Sequence, residues 1–223
     1  MGPPEVHMAE TNSTVFVVDD DASVRRSLKR LLRASGFVVE EFASAADFLN
    51  TARASGPGCV VLDVRMPNLT GPELFDRMAR TGSTLPVIFL TAHGDVATSV
   101  RAMKGGAVDF LLKPVDGNTL LGAIRSAIRR HVSGLAAASR LEVLGSRLKR
   151  LSPREREVMA LVVKGEPNKR IAVELCISEK TVKVHRHRVM EKMEAASLAD
   201  LVRLAGAVPA GGVSVDAGTP AHV

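Results

Sequence analysis

The feature that most constrains the fold is the alternation of five short apolar runs with segments of helical periodicity. The runs are Val15–Val18, Phe37–Val39, Cys59–Leu62, Val87–Leu90 and Val108–Leu112. Between them, Ser23–Ala34 and Pro72–Ala79 each place their apolar residues on one helical face. Almost wholly apolar strands that alternate with helices are typical of a parallel sheet covered on both faces. We therefore predict a doubly wound α/β domain with a five-stranded parallel sheet, whose chemistry lies beyond the carboxyl ends of the strands.

The pattern changes after this domain, which we place over residues 14–131. Residues 132–150 are small, charged and helix-prone, so we expect them to form a helical linker. A run of short amphipathic helices without strand periodicity follows and indicates a small all-α domain over residues 151–207. We expect a disordered leader over residues 1–13 and a disordered tail over residues 208–223.

The positive charge is concentrated in the second half of the chain. Residues 1–135 carry 15 basic and 14 acidic residues, whereas residues 136–208 carry 15 basic and 9 acidic residues. This asymmetry favours a polyanion as the partner of the second half. The absence of Trp and Tyr disfavours aromatic platforms for single-stranded nucleic acids or sugars.

The cellular setting is predicted from what the sequence lacks. It has no secretory pattern at its N-terminus and no apolar run near the ~18 residues of a membrane span. Cys59 and Cys176 are its only cysteines, too few for a zinc site built from thiolates. We expect both to be buried free thiols in a reducing compartment. The sequence therefore predicts a cytoplasmic protein without membrane contact.

Polar residues with complementary chemistry follow four of the predicted strands. Asp19, Asp20 and Asp21 follow the first, Asp63 the third, Thr91 the fourth and Lys113 the fifth. The carboxyl ends of parallel strands meet at one edge, so these groups are expected to converge there. A cluster of carboxylates favours Mg²⁺ or Mn²⁺, and a hydroxyl and an ammonium group beside it suit phosphoryl transfer to an aspartate. Taken singly, Asp20 or Asp21 could instead cap the following helix.

Residues 14–131 resemble a response-regulator receiver domain, close to the FixJ subgroup. The resemblance rests on VFVVDDD (15–21), VVLDVRMPNLTG (60–71), IFLTAHGD (88–95) and VDFLLKP (108–114). It implies the flavodoxin-like fold and phosphorylation of Asp63 by a sensor histidine kinase. It also implies a metal site, Mg²⁺ or Mn²⁺, formed by Asp19, Asp20, Asp63 and the backbone carbonyl of Arg65. Lys113 and Thr91 would complete the catalytic set.

Two roles near this site have alternatives. The resemblance pairs Thr91 with Phe110 as a switch, but many relatives have Tyr at the Phe110 position, so Phe110 could be an ordinary core residue. A phosphoaspartyl hydrolase could use the same carboxylates, yet such enzymes usually have an acid/base Asp two residues after the nucleophile. Arg65 stands there, so we predict no enzyme, only a protein that accepts and slowly loses its own phosphoryl group.

The second half contains a helix-turn-helix pattern. Ser152 and Gly165 are placed to cap the two ends of a first helix, and Asn168 is placed to cap the start of a second. A turn over Cys176–Ser178 then leads into a third helix, which Ser178 can cap and which ends at Met193. On that helix one arc contains Lys180, Lys183, Val184, His187 and Glu191, and the opposite side contains Val182, His185, Val189 and Met193. Arg188 flanks the first arc, which either enters the major groove of DNA or is a solvated basic face.

Residues 151–205 look like the LuxR/FixJ-type DNA-binding domain. The stretches PNKRIA and TVKVHRHRVMEKM are the most specific part of the match. The resemblance implies groove contacts by Lys180, Thr181, Lys183, Val184 and His187. It also implies that a fourth helix, Ser197–Ala205, dimerises on DNA.

Together these features predict a two-component response regulator that acts as a transcription factor. We expect phosphorylation of Asp63 to produce a homodimer that binds double-stranded promoter DNA and acts with RNA polymerase. In FixJ-like relatives the receiver dimer surface spans the fourth helix and fifth strand, here about Val96–Leu112, with Arg101 and Lys104 as candidate contacts. The alternative is a DNA-binding regulator whose receiver serves only as a phosphorylation-independent dimerisation module.

Overall fold

The computed structural model describes residues 13–52, 56–92 and 96–207, with the side chains of residues 96–99 excepted. Three parts of the predictions lie outside the described residues: the tail, the leader except for its last residue, and His93–Asp95 of one receiver motif. The chain divides into two compact units, Met1–Ala136 and Ala137–Val223. None of the described helices is both long and apolar enough to cross a membrane.

The first unit contains the predicted five-stranded parallel sheet. Its strands are β1 (Thr14–Val18), β2 (Val38–Phe42), β3 (Gly58–Asp63), β4 (Val87–Thr91) and β5 (Asp109–Leu112). They are arranged in the order β2-β1-β3-β4-β5, and every neighbouring pair is parallel. Each residue of β3 and β4 is buried, as expected for strands covered on both faces. The doubly wound fold is confirmed.

Helices cover the two faces of this sheet. They are α1 (Ala22–Ala34), α2 (Ala45–Thr51), α3 (Gly71–Arg80), α4 (Val96–Lys104) and α5 (Gly117–Lys149). Leu28 and Leu32 of α1 share a core with Leu120, Ile124 and Ile128 of α5. Phe48, Leu74 and Ala102 place α2, α3 and α4 in the core on the other side.

Most elements begin and end within about one residue of their predicted bounds, but two differ by more. β2 runs from Val38 to Phe42 and includes two glutamates, because an edge strand is less completely covered than a central one: Glu40 is exposed, and Glu41 forms an ion pair with Lys29 of α1. The helix expected to end at His131 continues through the linker segment to Lys149 as one helix. Nothing in this segment stops a helix: it has no proline, and its alanine-rich stretch favours continuation.

The second unit is the expected cluster of short helices. They are α6 (Pro153–Val163), α7 (Asn168–Glu174), α8 (Glu179–Met193) and α9 (Leu198–Gly206), packed around one apolar core. Ser152 and Glu155 form a capping box at the start of α6, and Ser178 caps α8. The expected cap at Asn168 is wrong, because Pro167 is the N-cap residue of α7 and no side chain caps it. The Asn168 Oδ1 instead accepts a hydrogen bond of 2.8 Å from Arg186 of α8.

The two cysteines have different environments. Cys59 lies in β3 and is fully buried, and this burial raises the pKa of its thiol to about 12. Cys176 is exposed, so the expectation that both thiols are buried is wrong for this residue. Its φ of 52° marks the turn between α7 and α8, where the backbone leaves the helix and directs the side chain toward solvent.

Candidate functional site

The carboxylates that follow β1 and β3 converge at the carboxyl edge of the sheet. Asp19 and Asp63 are buried and Asp20 is exposed, and one carboxylate oxygen from each lies within 4.8 Å of the others. Asp21 has a separate role, because its Oδ1 accepts the backbone N–H of Ser23 at 2.7 Å and caps α1. The capping alternative therefore holds for Asp21, and Asp20 stays available to the cluster.

Lys113 joins the two buried carboxylates. Its Nζ lies 2.6 Å from Asp19 Oδ2 and 2.7 Å from Asp63 Oδ1. Its backbone N–H donates to the Thr91 carbonyl at 2.7 Å, which ties the end of β5 to the end of β4. Burial raises the pKa of Asp63 even though Lys113 opposes the shift. For Lys113 burial lowers the pKa, but its hydrogen bonds to the two carboxylates prevail and the pKa is raised.

The donor set fits a divalent cation of the Mg²⁺ or Mn²⁺ type. Among the described residues, the cluster consists of three carboxylates with no histidine or cysteine, which is the oxygen-rich environment that such ions prefer. The backbone of Arg65 lies beside this set, since its N–H donates to Asp63 Oδ2 at 2.9 Å while its side chain is exposed. Its carbonyl as a further ligand remains a prediction.

Two residues that support the site were not singled out from the sequence. Arg25 donates from Nη1 to the carbonyl oxygens of Asp19, at 2.7 Å, and Asp20, at 2.9 Å, and so fixes the loop that presents both carboxylates. Gly71 packs its Cα against the backbone of β3, where a Cβ would overlap the carbonyl oxygen of Asp63. The role of Arg25 could have been predicted from its place within one helical turn of the acidic loop. The close approach of Gly71 to β3 has no signal in the sequence and is visible only in the structure.

The candidate switch and dimer residues lie on the β4–α4–β5 side. Thr91 is buried at the end of β4. The ring of Phe110 is partly buried, and its centroid lies 6.0 Å from that of Phe89. Arg101 and Lys104 are exposed in the last turn of α4. This geometry is compatible with the predicted roles, and it also suits Phe110 as a core residue.

The predicted recognition surface of the second unit is one face of α8. Lys180, Lys183, Val184, His187 and Arg188 are exposed, and Val182, Val189 and Met193 are buried on the other side. Thr181 is partly buried, and its N–H and hydroxyl both bond to Ser178 Oγ, at 3.0 Å and 2.8 Å. His185 is also partly buried, with its Nδ1 enclosed and without a hydrogen-bond partner among the described residues. The predicted division of the helix into a packed side and a free basic side is therefore present.

Polar contacts hold α8 in place against α6 and α7. Lys192 Nζ lies 2.6 Å from the carboxylate of Glu155, which is 2% exposed. Burial raises the pKa of Glu155, but hydrogen bonds from Lys192 and Ser152 prevail and hold it below its ordinary value. The contact between Asn168 and Arg186 links α7 to α8. These links come from residues far apart in sequence, so the linear pattern did not reveal them.

Comparison with known proteins agrees with this geometry. Residues 15–125 match the model of the response regulator receiver domain, and residues 149–205 match that of the bacterial regulatory proteins of the luxR family. The response regulator protein TodT of Pseudomonas putida is 43% identical over 198 residues, which cover 89% of this chain and 87% of that protein. The transcriptional regulatory protein FixJ of Bradyrhizobium diazoefficiens is 46% identical over 195 residues, covering 87% and 95% of the two chains.

A solved structure extends the similarity to the fold. The low-resolution structure of the response regulator StyR is 45% identical and has a TM-score of 0.81, covering 87% of this chain and 98% of that one. Both domains, their order and almost the whole length of these relatives are therefore shared. The chain belongs to the FixJ-type response regulators of two-component systems, which are phosphorylation-activated transcription regulators that join a receiver domain to a LuxR-type DNA-binding domain.

Proposed function

We propose that Asp63 is the phosphoryl acceptor of this regulator and that a sensor histidine kinase is the donor. The single observation that supports the assignment is the position of the Asp63 carboxylate. It lies at the end of β3, and Lys113 pairs with both this carboxylate and that of Asp19. A carboxylate oxygen of Asp63 attacks the phosphorus of a phosphohistidine. The N–P bond breaks, the imidazole is the leaving group, and Asp63 becomes an acyl phosphate. The donor's imidazole nitrogen takes up a proton after release.

The surrounding residues have distinct roles in this transfer. Asp19, Asp20, Asp63 and the carbonyl of Arg65 would hold Mg²⁺, which supplies charge neutralisation for the phosphoryl oxygens. Lys113 places a second positive charge beside the acceptor oxygen, and the Thr91 hydroxyl donates to a phosphoryl oxygen once the group is in place. Movement of Thr91 then makes room for Phe110 to turn inward. The phosphoryl group stays on the protein as a signal and is slowly lost to water.

The acceptor assignment is tested by incubating the full chain with Mg²⁺ and a small acyl-phosphate donor. Intact-mass spectrometry should show one added phosphoryl group on the wild-type protein and none on Asp63→Asn. Asp76→Asn, which alters an exposed carboxylate on α3, is the matched control and should be modified like the wild type. Modification of Asp63→Asn at the wild-type level would overturn the assignment.

We further propose that the exposed face of α8 reads promoter DNA. Lys180, Lys183, Thr181, Val184 and His187 would lie in or beside the major groove, with Arg188 on the backbone. Replacing Lys183 with Ala removes a cationic contact, so DNA affinity should fall about tenfold, as for a contact worth 1–3 kcal/mol, while phosphoryl uptake is unchanged. Lys164→Ala, which alters an exposed lysine at the C-terminal end of α6, should retain affinity. If Lys183→Ala lost both DNA affinity and phosphoryl uptake, the assignment of these two functions to separate domains would be contradicted.

The active species would be a homodimer that acts with RNA polymerase in the cytoplasm, where promoter DNA is found. Its receiver contacts would include Arg101 and Lys104 on α4, and α9 would pair on DNA. Sedimentation with Mg²⁺ and the acyl-phosphate donor should show a monomer-to-dimer shift for the wild type and none for Asp63→Asn. A dimer in every sample would instead favour a receiver that dimerises without phosphate.

A further inference from the structure

The charged residues of the first unit are divided unevenly between the two faces of its sheet. The 13 residues of α1 include five basic residues and no acidic residue. The part of α5 within this unit, over residues 117–132, contains three arginines and no acidic residue. The rest of residues 14–132 contains twelve acidic and seven basic residues, so the positive charge of this unit belongs to the surface formed by α1 and this part of α5, here called the α1–α5 face.

Most of the arginines on this face are available to a partner. Arg25 and Lys29 are engaged, the first with the loop after β1 and the second in an ion pair with Glu41. Arg26, Arg30 and Arg33 are exposed, fall on one stripe of α1, and have no ion-pair partner among the described residues. Arg125 and Arg130 are likewise exposed on α5 and unpaired within the described part of the chain.

The face extends well away from the phosphoacceptor. Both helices begin at the carboxyl edge of the sheet, and α5 reaches the opposite edge, where His131 Nδ1 accepts the N–H of Gly58, the first residue of β3, at 3.1 Å. At 1.5 Å per residue, Arg33 lies ~10 Å beyond Arg26 along α1, and Arg130 lies ~20 Å beyond Gly117 along α5. A partner that touched only the carboxylate edge would not reach most of these charges, whereas an extended polyanion would.

The composition of the face favours nucleic acid over a protein or a lipid surface. Among the described residues, the large exposed apolar side chains include none on α1 and none on α5 before Leu135. Stable protein interfaces have an apolar core, and helices that lie on membranes bury an apolar side. Phosphate backbones need neither, because arginine binds them through charge and hydrogen bonds alone.

We propose that the α1–α5 face binds the phosphate backbone of duplex DNA and so adds sequence-independent affinity to the domain that carries α8. The inference rests on the DNA-binding function and extends it to the receiver. Arg26, Arg30, Arg33, Arg125 and Arg130 supply the contacts. The bound sequence is still chosen by α8, because phosphate contacts position a protein without reading bases.

The test measures the affinity of the full chain for a duplex of arbitrary sequence over a series of NaCl concentrations. Arg26→Gln/Arg30→Gln removes two charges from α1, and Arg125→Gln/Arg130→Gln removes two from α5 as an independent variant. Arg77→Gln/Arg80→Gln is the matched control, since it removes two exposed arginines from α3 on the opposite side of the sheet. Circular dichroism confirms that each variant is folded before its affinity is compared.

Each variant of the face should lower the slope of log Kd against log salt by about two, since one phosphate contact contributes about 0.9. The control should keep the wild-type slope. Equal slopes in all variants, or an equal fall in the control, would overturn the proposal. It would also be overturned if the face variants only slowed phosphoryl uptake from a histidine kinase. If the wild-type chain bound no duplex, the DNA-binding function itself would fail, a result distinct from these.

Discussion

The four aspartates at the sheet edge differ in environment although they share one residue type. Asp19 and Asp63 are buried around one ammonium group, Asp20 is exposed, and Asp21 is committed to a helix cap. Two buried carboxylates repel each other unless a cation lies between them. Lys113 supplies that cation in the structure described here, and a bound divalent ion would share the task.

Lys113→Ala should therefore make the receiver depend on metal for stability. Without the ammonium group, the free energy of unfolding in EDTA should fall by about 3–5 kcal/mol, as when a buried ion pair loses one partner. Mg²⁺ should restore more stability to this variant than to the wild type. The measurement is urea unfolding with and without Mg²⁺, and Lys104→Ala is the control on an exposed lysine. An identical Mg²⁺ effect in all three proteins would contradict this dependence, and no Mg²⁺ effect in any of them would contradict the metal site.

The burial of His131, at the opposite edge of the sheet, predicts that the free energy of unfolding depends on pH. His131 is 6% exposed, accepts the Gly58 N–H at Nδ1, and bonds Thr84 Oγ1 through Nε2 at 3.1 Å. Burial lowers its pKa below the ordinary 6.5, so the unfolded chain takes up a proton first as the pH falls. Stability from this group is complete above pH 6.5 and is lost as the pH falls from there through the lowered pKa of the folded state.

His131→Asn removes the titration but keeps an acceptor for Gly58. The variant should be less stable than the wild type at neutral pH, because it loses the bond to Thr84 and some packing. The difference in the free energy of unfolding should narrow between pH ~7 and ~5, since only the wild type loses this contribution in that range. Chemical unfolding at several pH values measures it. A constant difference across the range would show that His131 does not titrate with folding.

Among the elements, the connection from β3 to α3 depends on a residue without a side chain. A Cβ on Gly71 would overlap the Asp63 carbonyl and crowd the backbone of Val64. Gly71→Ala should therefore displace the end of β3, lower the free energy of unfolding by about 1–3 kcal/mol, and slow phosphoryl uptake by Asp63. Gly117→Ala is the control, because its Cβ would meet only Leu31 at an ordinary 3.6 Å. Equal stability and uptake in both variants would contradict this packing argument.

The elements that sequence predicts well are those whose pattern is local. β1, β3 and β4 are apolar runs that stay buried, and the caps at Ser152 and Ser178 lie where the residue types indicate. β2 was predicted too short because its glutamates look like loop residues until its place at the sheet edge is known. The sequence predicts helical structure for residues 132–150, but not that they continue the preceding helix without a break as α5, because a helix-prone composition does not show whether two helical segments are joined.

In the candidate site, too, the residues placed by a local pattern were predicted and those placed by the path of the chain were not. The sequence alone predicts that Asp19, Asp63 and Lys113 lie together, because the carboxyl ends of the strands of a parallel sheet are at the same edge. The argument from strand ends left Asp20 and Asp21 open, and only the family resemblance named Asp20. The sequence also did not place Arg25 against the acidic loop or distinguish the exposed Cys176 from the buried Cys59. Those assignments depend on the path of the backbone through turns, which residue type constrains only weakly.

At the scale of the whole molecule, the chain joins a nearly neutral unit that carries the proposed phosphoacceptor to a basic unit that carries the proposed recognition helix. The two functions use separate cores, so a substitution in one should leave the other folded. Regulation then requires that the phosphorylated receiver change the free energy of DNA binding. Coupling between sites of this kind is typically worth 1–3 kcal/mol, about 5- to 150-fold in affinity.

The most direct measurement is the affinity of the full chain for a duplex that the chain itself has enriched from a random-sequence library. It is made in Mg²⁺ with and without the acyl-phosphate donor, on the wild type and Asp63→Asn. Phosphorylation should tighten binding of the wild type by about tenfold, within the usual range of allosteric coupling, and leave Asp63→Asn unchanged. Unchanged affinity of a wild-type protein shown by mass to carry the phosphoryl group, or equal tightening of Asp63→Asn, would contradict control of DNA binding through Asp63.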